Sequence, residues 1–158
     1  VRRMILSRPM VECGEKMGFL PGDINDKLAP WVAPIEDVLR RITTINPKEV
    51  MKSMEIIPLA VMRGRTFDDC VAILDEAQNC TWEQLKLFTS RLGKNGKLII
   101  CGDPEQSDLR IRNCFAEFAY ALENLDCVGY VGFDESMIVR HPSLQSIMTA
   151  IRKAEAKR

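Results

Sequence analysis

Three short apolar runs, each stopping at a cluster of polar residues, constrain this chain more than any other feature. Arg3-Met-Ile-Leu-Ser7 leads into Arg8-Pro9, and Cys70-Val-Ala-Ile-Leu74 into Asp75-Glu76-Ala77-Gln78. Lys97-Leu-Ile-Ile-Cys101 leads into Gly102-Asp103-Pro104-Glu105-Gln106. Continuous apolar runs of this length suit strands covered on two faces. Segments of helical periodicity lie between them, and strands separated by helices predict a parallel sheet with right-handed crossovers. In such a sheet ligands sit beyond the carboxyl ends of the strands. Three polar clusters arriving at one edge predict a site.

The intervening segments are less uniform. Apolar residues recur near helical spacing at Ile24, Leu28, Trp31, Ile35, Val38, Leu39 and Ile42. Pro30 and Pro34 fall inside this stretch and predict a kinked helix or two short ones. Glu55–Pro58 reads as an edge strand, because proline cannot donate to a ladder. Thr81 and Gln84 form a capping box for a helix over 81–92, stopped by Gly93, with Trp82, Leu85, Phe88, Thr89 and Leu92 on one face. A helix over 114–125 and a strand over 128–133 follow. A last helix over 143–156 is expected to bury Leu144, Ile147, Met148 and Ile151. Segments 14–23 and 62–69 read as irregular.

Composition narrows the class. The 158 residues suit one domain, and lysine plus arginine equals aspartate plus glutamate at 22 each. That balance excludes a histone-like basic mode of nucleic-acid binding but leaves room for a local basic groove. No apolar run approaches the roughly 18 residues of a membrane span. The six cysteines form no C-x-x-C pair, and one histidine is present to complete a zinc site. Reduced thiols in a cytoplasmic protein are expected.

At the predicted edge, Asp75-Glu76 directly after an apolar strand matches what nucleotide hydrolysis needs. One acid can hold Mg²⁺ through its waters, and the next can orient or deprotonate the attacking water. The alternative is a strand end that merely caps its turn. Gly102 would let backbone approach a phosphate, and Gln106 can both donate and accept. The same residues also make an ordinary Asp-Pro turn. Arg63 and Arg65, flanking Gly64, suit phosphates or a nucleic-acid backbone as well as a solvated loop. Arg140, held by His141-Pro142, could reach a phosphate across a subunit boundary or stand as a surface cation; His141 itself reads as a packing or capping residue.

Taken together, the sequence resembles the PhoH-like proteins, a P-loop NTPase group related to superfamily-one helicases. The resemblance rests on Ser7-Arg8-Pro9, Glu15-Lys-Met-Gly-Phe-Leu-Pro-Gly-Asp23, Met62-Arg-Gly-Arg-Thr66, Ile73-Leu-Asp-Glu-Ala-Gln-Asn79, Gly102-Asp-Pro-Glu-Gln-Ser-Asp-Leu109 and Val139-Arg-His-Pro142, in the family's order. It implies a RecA-like three-layer α/β/α domain with a mainly parallel sheet, binding ATP and Mg²⁺. By the same resemblance Asp75 and Glu76 are the Walker B pair, Gln106 the γ-phosphate sensor and Arg140 an arginine finger. Arg8 matches the position after the second strand of related helicases, where nucleic acid or phosphate is contacted; Asp103 lies in the sensor loop. Ring-shaped homo-oligomers, hexamers among them, and RNA or other single-stranded nucleic acid are the implied partners.

Two departures stand out. Arg110 follows Asp108-Leu109 where the family usually has proline. More consequentially, no G-x-x-x-x-G-K-[ST] occurs, the loop whose amides and lysine cradle phosphates. The family carries that loop and its strand just ahead of the segment that opens this chain. The reading is therefore a single PhoH-like ATPase domain over 1–158, truncated at its amino end and lacking the Walker A strand. A non-catalytic remnant that binds subunits or nucleic acid is the main rival. A metal-dependent nuclease built on Asp75, Glu76 and Asp103 is weaker, since no further acids cluster with them.

Overall fold

The structure, a computed structural model, describes residues 3–9, 24–104, 114–134, 137, 141 and 143–155. Two compact units divide the chain, Val1–Ala121 and Leu122–Arg158.

The first unit holds a four-stranded sheet. Its strands are β1 (Arg3–Ser7), β2 (Met54–Ile56), β3 (Cys70–Leu74) and β4 (Lys97–Ile100), in the order β2-β1-β3-β4, all parallel. Helices α1 (Ile24–Ile42) and α2 (Pro47–Met51) lie between β1 and β2, a 3₁₀ turn (Leu59–Val61) between β2 and β3, α3 (Trp82–Thr89) between β3 and β4, and α4 (Phe115–Leu122) follows β4. This is the α/β architecture that the alternating pattern predicts. β3 is central, and Cys70, Ala72 and Leu74 on one of its faces are wholly buried. Ile5, Phe67, Leu85 and Phe88 are also wholly buried. Phe67 and Phe88 meet edge to face with centroids 5.7 Å apart. Each such side chain contributes about 1.5–3 kcal/mol by leaving water. Among the described residues five cysteines are free, and burial pushes the Cys80 thiol up to about 12, so it stays protonated at neutral pH.

Several expectations are revised. Of the two forms expected for 24–42, the single helix is present, 19 residues long. Pro30 and Pro34 lie four apart, so both lost N–H donors fall on one side of the helix and the ladder survives on the other. The α3 capping box is present, with Thr81 Oγ accepting from the Gln84 amide at 3.3 Å and Gln84 Oε1 from the Thr81 amide at 2.8 Å. The helix ends at Thr89, earlier than Gly93, because residues 91–93 turn to pair with Phe67: its N–H donates to the Arg91 carbonyl at 2.7 Å and its carbonyl accepts from Gly93 at 3.2 Å. β4 is not covered on both faces: Lys97 and Ile99 are exposed, and among the described residues β4 pairs only with β3.

In the second unit, helix α5 (Ser143–Glu155) forms as expected, but Ile147, Met148 and Ile151 are exposed and Leu144 is only half-buried. The His141 ring caps this helix, its Nδ1 accepting from the Ser143 amide at 3.2 Å. The run 128–133 forms no strand, and Val131 and Phe133 are 74% and 82% exposed. A strand needs a partner for its backbone groups, and apolar sequence does not supply one.

Candidate functional site at the carboxyl edge of the sheet

Register creates the site. Ser7 pairs with Leu74, so the chains leave β1 and β3 side by side. The ladder continues one step, with the Asp75 amide donating to the Ser7 carbonyl at 2.9 Å. Arg8 and Asp75 therefore emerge together, and Arg8 donates to Asp75 Oδ2 from Nε at 2.9 Å and Nη2 at 2.5 Å. Charge-assisted pairs at this range are roughly twice as strong as neutral ones. On the other flank, the Cys101 amide donates to the Leu74 carbonyl at 2.8 Å and Ala77 to the Cys101 carbonyl at 2.9 Å. The turn after β3 is thus pinned between its two neighbours. Burial raises the Cys101 thiol pKa, and the Asp75 carboxylate raises it further.

Glu76 sits in the left-handed region, φ 58° and ψ 37°. A long side chain there costs on the order of 1–3 kcal/mol and persists where surroundings over-determine it. Two bonds do so. Its amide donates to Asp75 Oδ1 at 3.0 Å, and its Oε2 accepts from Gln78 Nε2 at 2.7 Å. The following 3₁₀ turn, Ala77–Asn79, is buried throughout. Gln78, only 2% exposed, also accepts from the Asp103 amide through Oε1 at 3.0 Å. Gly102 makes room for it: a Cβ there would come within 2.9 Å of both Gln78 Oε1 and Phe115 Cε1.

Arg8, Asp75, Glu76, Gly102 and Asp103 are thus brought to one edge. Arg65 is not brought there. Its Nη2 donates to Glu55 Oε1 at 2.6 Å, on a carboxylate shared with Arg3, in the loop that enters β3 from its amino end. Arg63 is exposed in the preceding turn. Gln106 and Arg140 lie outside the described residues. Sequence reasoning gave Gln78 no role; its one signal was a lone amide two places beyond an acid pair.

Among the described residues no group of three or more histidine, cysteine or acidic side chains could hold a metal. Asp75 offers hard carboxylate oxygens, with Oδ2 accepting both Arg8 bonds and Oδ1 the Glu76 amide; such a lone carboxylate fits a Mg²⁺ brought in with nucleotide phosphates rather than a protein cage.

The family model described as PhoH-like protein matches residues 1–152. The chain belongs to the PhoH-like family. That is a P-loop NTPase family, and the parallel sheet agrees with its three-layer RecA-like α/β fold. The chain is 41% identical to the PhoH-like protein of Bacillus subtilis (strain 168), covering 97% of this chain and 50% of that protein. It is 42% identical to Protein PhoH of Escherichia coli (strain K12), covering 95% and 44%, and 40% identical to the PhoH-like protein of Synechocystis, covering 97% and 48%. The chain therefore spans about half the length of the curated relatives it matches.

Proposed function

We propose that these residues form the metal- and water-handling side of an ATP-hydrolysing site of PhoH type. The observation that supports this best is Glu76, a long carboxylate kept in a left-handed backbone and clipped by Gln78 beside the Arg8–Asp75 pair. A turn with only a structural task would be served by glycine or asparagine.

In this reading the reaction is in-line attack of water on the γ-phosphate. Asp75 would hold Mg²⁺, which neutralises charge on the phosphate oxygens. Glu76 orients the attacking water and takes its proton. Gln106 senses the γ-phosphate, and Arg140 supplies charge to a neighbouring subunit's site in a homo-oligomeric ring. Arg8 gives Asp75 a cationic partner in this structure and is near enough to the edge to turn to a phosphate or a nucleic-acid backbone. Gly102 and Asp103 shape the adjoining wall. Arg63 and Arg65, at the other end of β3, suit a nucleic-acid backbone better than the nucleotide. RNA or another single-stranded nucleic acid, acted on in the cytoplasm, is the proposed polymer partner. No helix among the described residues is long and apolar enough to cross a membrane.

A second reading has its own observation. The 158 residues contain no G-x-x-x-x-G-K-[ST], and the run 128–133 exposes apolar side chains, as a subunit- or nucleic-acid-binding module without turnover would. Phosphate release separates the two. This chain alone is expected to release phosphate from ATP only at background, since its sequence holds no G-x-x-x-x-G-K-[ST] to cradle the β- and γ-phosphates, and loss of even one charge-stabilising donor costs about 10²–10³ in rate. The same chain extended at its amino end by a P-loop and its strand is expected to turn over with Mg²⁺. An extended protein that binds ATP yet stays silent favours the binding module. Full turnover by the unextended chain overturns the need for the cradle.

A further inference from the structure

Gln78 is a buried side chain that joins the polar clusters following β3 and β4. Its donor end holds Glu76 Oε2 at 2.7 Å, and its acceptor end takes the Asp103 amide at 3.0 Å. An amide is suited to this task, since it offers a donor and an acceptor on one planar group. Glutamate would repel Glu76, and methionine would fill the space with neither bond. At 2% exposure Gln78 has little water to fall back on, so its two bonds are made away from solvent competition. The missing Cβ at Gly102 completes the arrangement, because any side chain there would push into Gln78 Oε1.

We propose that Gln78 is a positioning residue that couples the orientation of the Glu76 carboxylate to the loop beginning at Gly102. If Glu76 swings away, the amide loses its anchor and relaxes its hold on Asp103; if the loop moves, the carboxylate is released. This proposal rests on the reading of Glu76 as the group that handles the attacking water. It adds that the water-handling group and the backbone at Gly102-Asp103 change together. Two polar segments on different strands thereby act as one unit.

The coupling is tested in this chain without nucleotide, by following the Asp103 amide resonance. Glu76→Ala is expected to shift that resonance when Gln78 is present and to leave it unmoved in a Gln78→Met background. Gln78→Met alone is expected to shift it as well. Should Gln78→Met fail to fold, Gln78→Asn, one methylene too short to span both partners, takes its place. An Asp103 amide indifferent to Glu76→Ala, or equally responsive with and without Gln78, overturns the proposal.

In the P-loop-extended chain, Gln78→Met is expected to lower kcat about tenfold with KM for ATP unchanged, as loss of one orienting hydrogen bond would. A rise in KM alone overturns the positioning role. The two readings fail separately. Loss of the amide coupling while Glu76→Gln still abolishes turnover removes the role of Gln78 only. Intact coupling with a fully active Glu76→Gln removes the assignment of Glu76 only.

Discussion

The two ends of the sheet both join arginines to a carboxylate, yet they handle backbone strain in opposite ways. At the amino end Glu55 is shared by Arg3 and Arg65, and the positive-φ positions are Gly64, Asp69 and Asn95. Glycine, aspartate and asparagine are the residues that tolerate that region. Asn95 and Asp69 also satisfy each other, Nδ2 to Oδ1 at 3.0 Å. At the carboxyl end the positive-φ residue is Glu76, a type ill suited to it, held by Asp75 and Gln78. One end has been fitted to its conformation. The other keeps a particular carboxylate in place despite the conformation, which is the expected mark of a functional position.

The largest effect that would break this comparison is on turnover. In the P-loop-extended chain, Glu76→Gln is expected to lower kcat by about 10²–10⁴, the usual contribution of a positioned general base. Glu55→Gln, an identical chemical change at the other end, is expected to leave kcat unaltered. Steady-state phosphate release measures both. Equal losses would mean that the two ends do not divide structure from function.

Much of this contrast was legible in the sequence. The three apolar runs and their polar endings fixed which residues share an edge, because parallel strands in register bring their carboxyl ends together. The capping box placed the start of α3 correctly, since it is a purely local signal. Other features depend on partners that a linear pattern does not name. The end of α3 is decided by Phe67, on a segment more than twenty residues earlier. Residues 128–133 have the composition of a strand but no ladder among the described residues. The exposure of β4 follows from its place in the sheet order, which apolar content does not encode. Gln78 was invisible because a lone glutamine carries no periodicity, and its role appears only once Glu76 and Asp103 are both beside it. The position of Arg65 is likewise unnamed by its local pattern: a loop before a strand enters at the end opposite the site.

A middle-sized effect separates the glycines of the two ends. Gly102→Ala is expected to cost about 1–3 kcal/mol, because its Cβ would overpack against Gln78 and Phe115. Gly64→Ala meets nothing within 4 Å, and its cost comes from φ +78° alone, about 1–2 kcal/mol. Asparagine distinguishes the causes. Gly64→Asn should recover part of the loss, as asparagine visits that region more readily, while Gly102→Asn should be worse than alanine. Urea unfolding of the four variants decides between them. Recovery at Gly102 would show that its constraint is conformational and would remove the steric argument for the Gln78 contact.

The smallest expected effect concerns the arginine pairs themselves. Glu55 lies 3.4 Å from Arg3 and 2.6 Å from Arg65, with all three side chains more than a third exposed. Exposed pairs contribute about 0–1 kcal/mol, and Glu55→Gln keeps shape while leaving two guanidinium groups facing each other without a counter-charge. Stability should therefore fall by no more than about 1 kcal/mol at low salt. Added salt should erase the loss, since at about 1 M the screening length is only about 3 Å. Arg8→Gln provides the counterpart. Its partner accepts two bonds on one oxygen, and both side chains are less exposed, at 24% and 32%. Part of its cost is hydrogen bonding rather than long-range charge, so that part should survive in high salt. Unfolding of both variants across a salt series reads the difference as two slopes. If Glu55→Gln kept its full cost in high salt while Arg8→Gln lost its own, the amino end would be the one built around a specific bonded carboxylate, and the contrast between the two edges would run the other way.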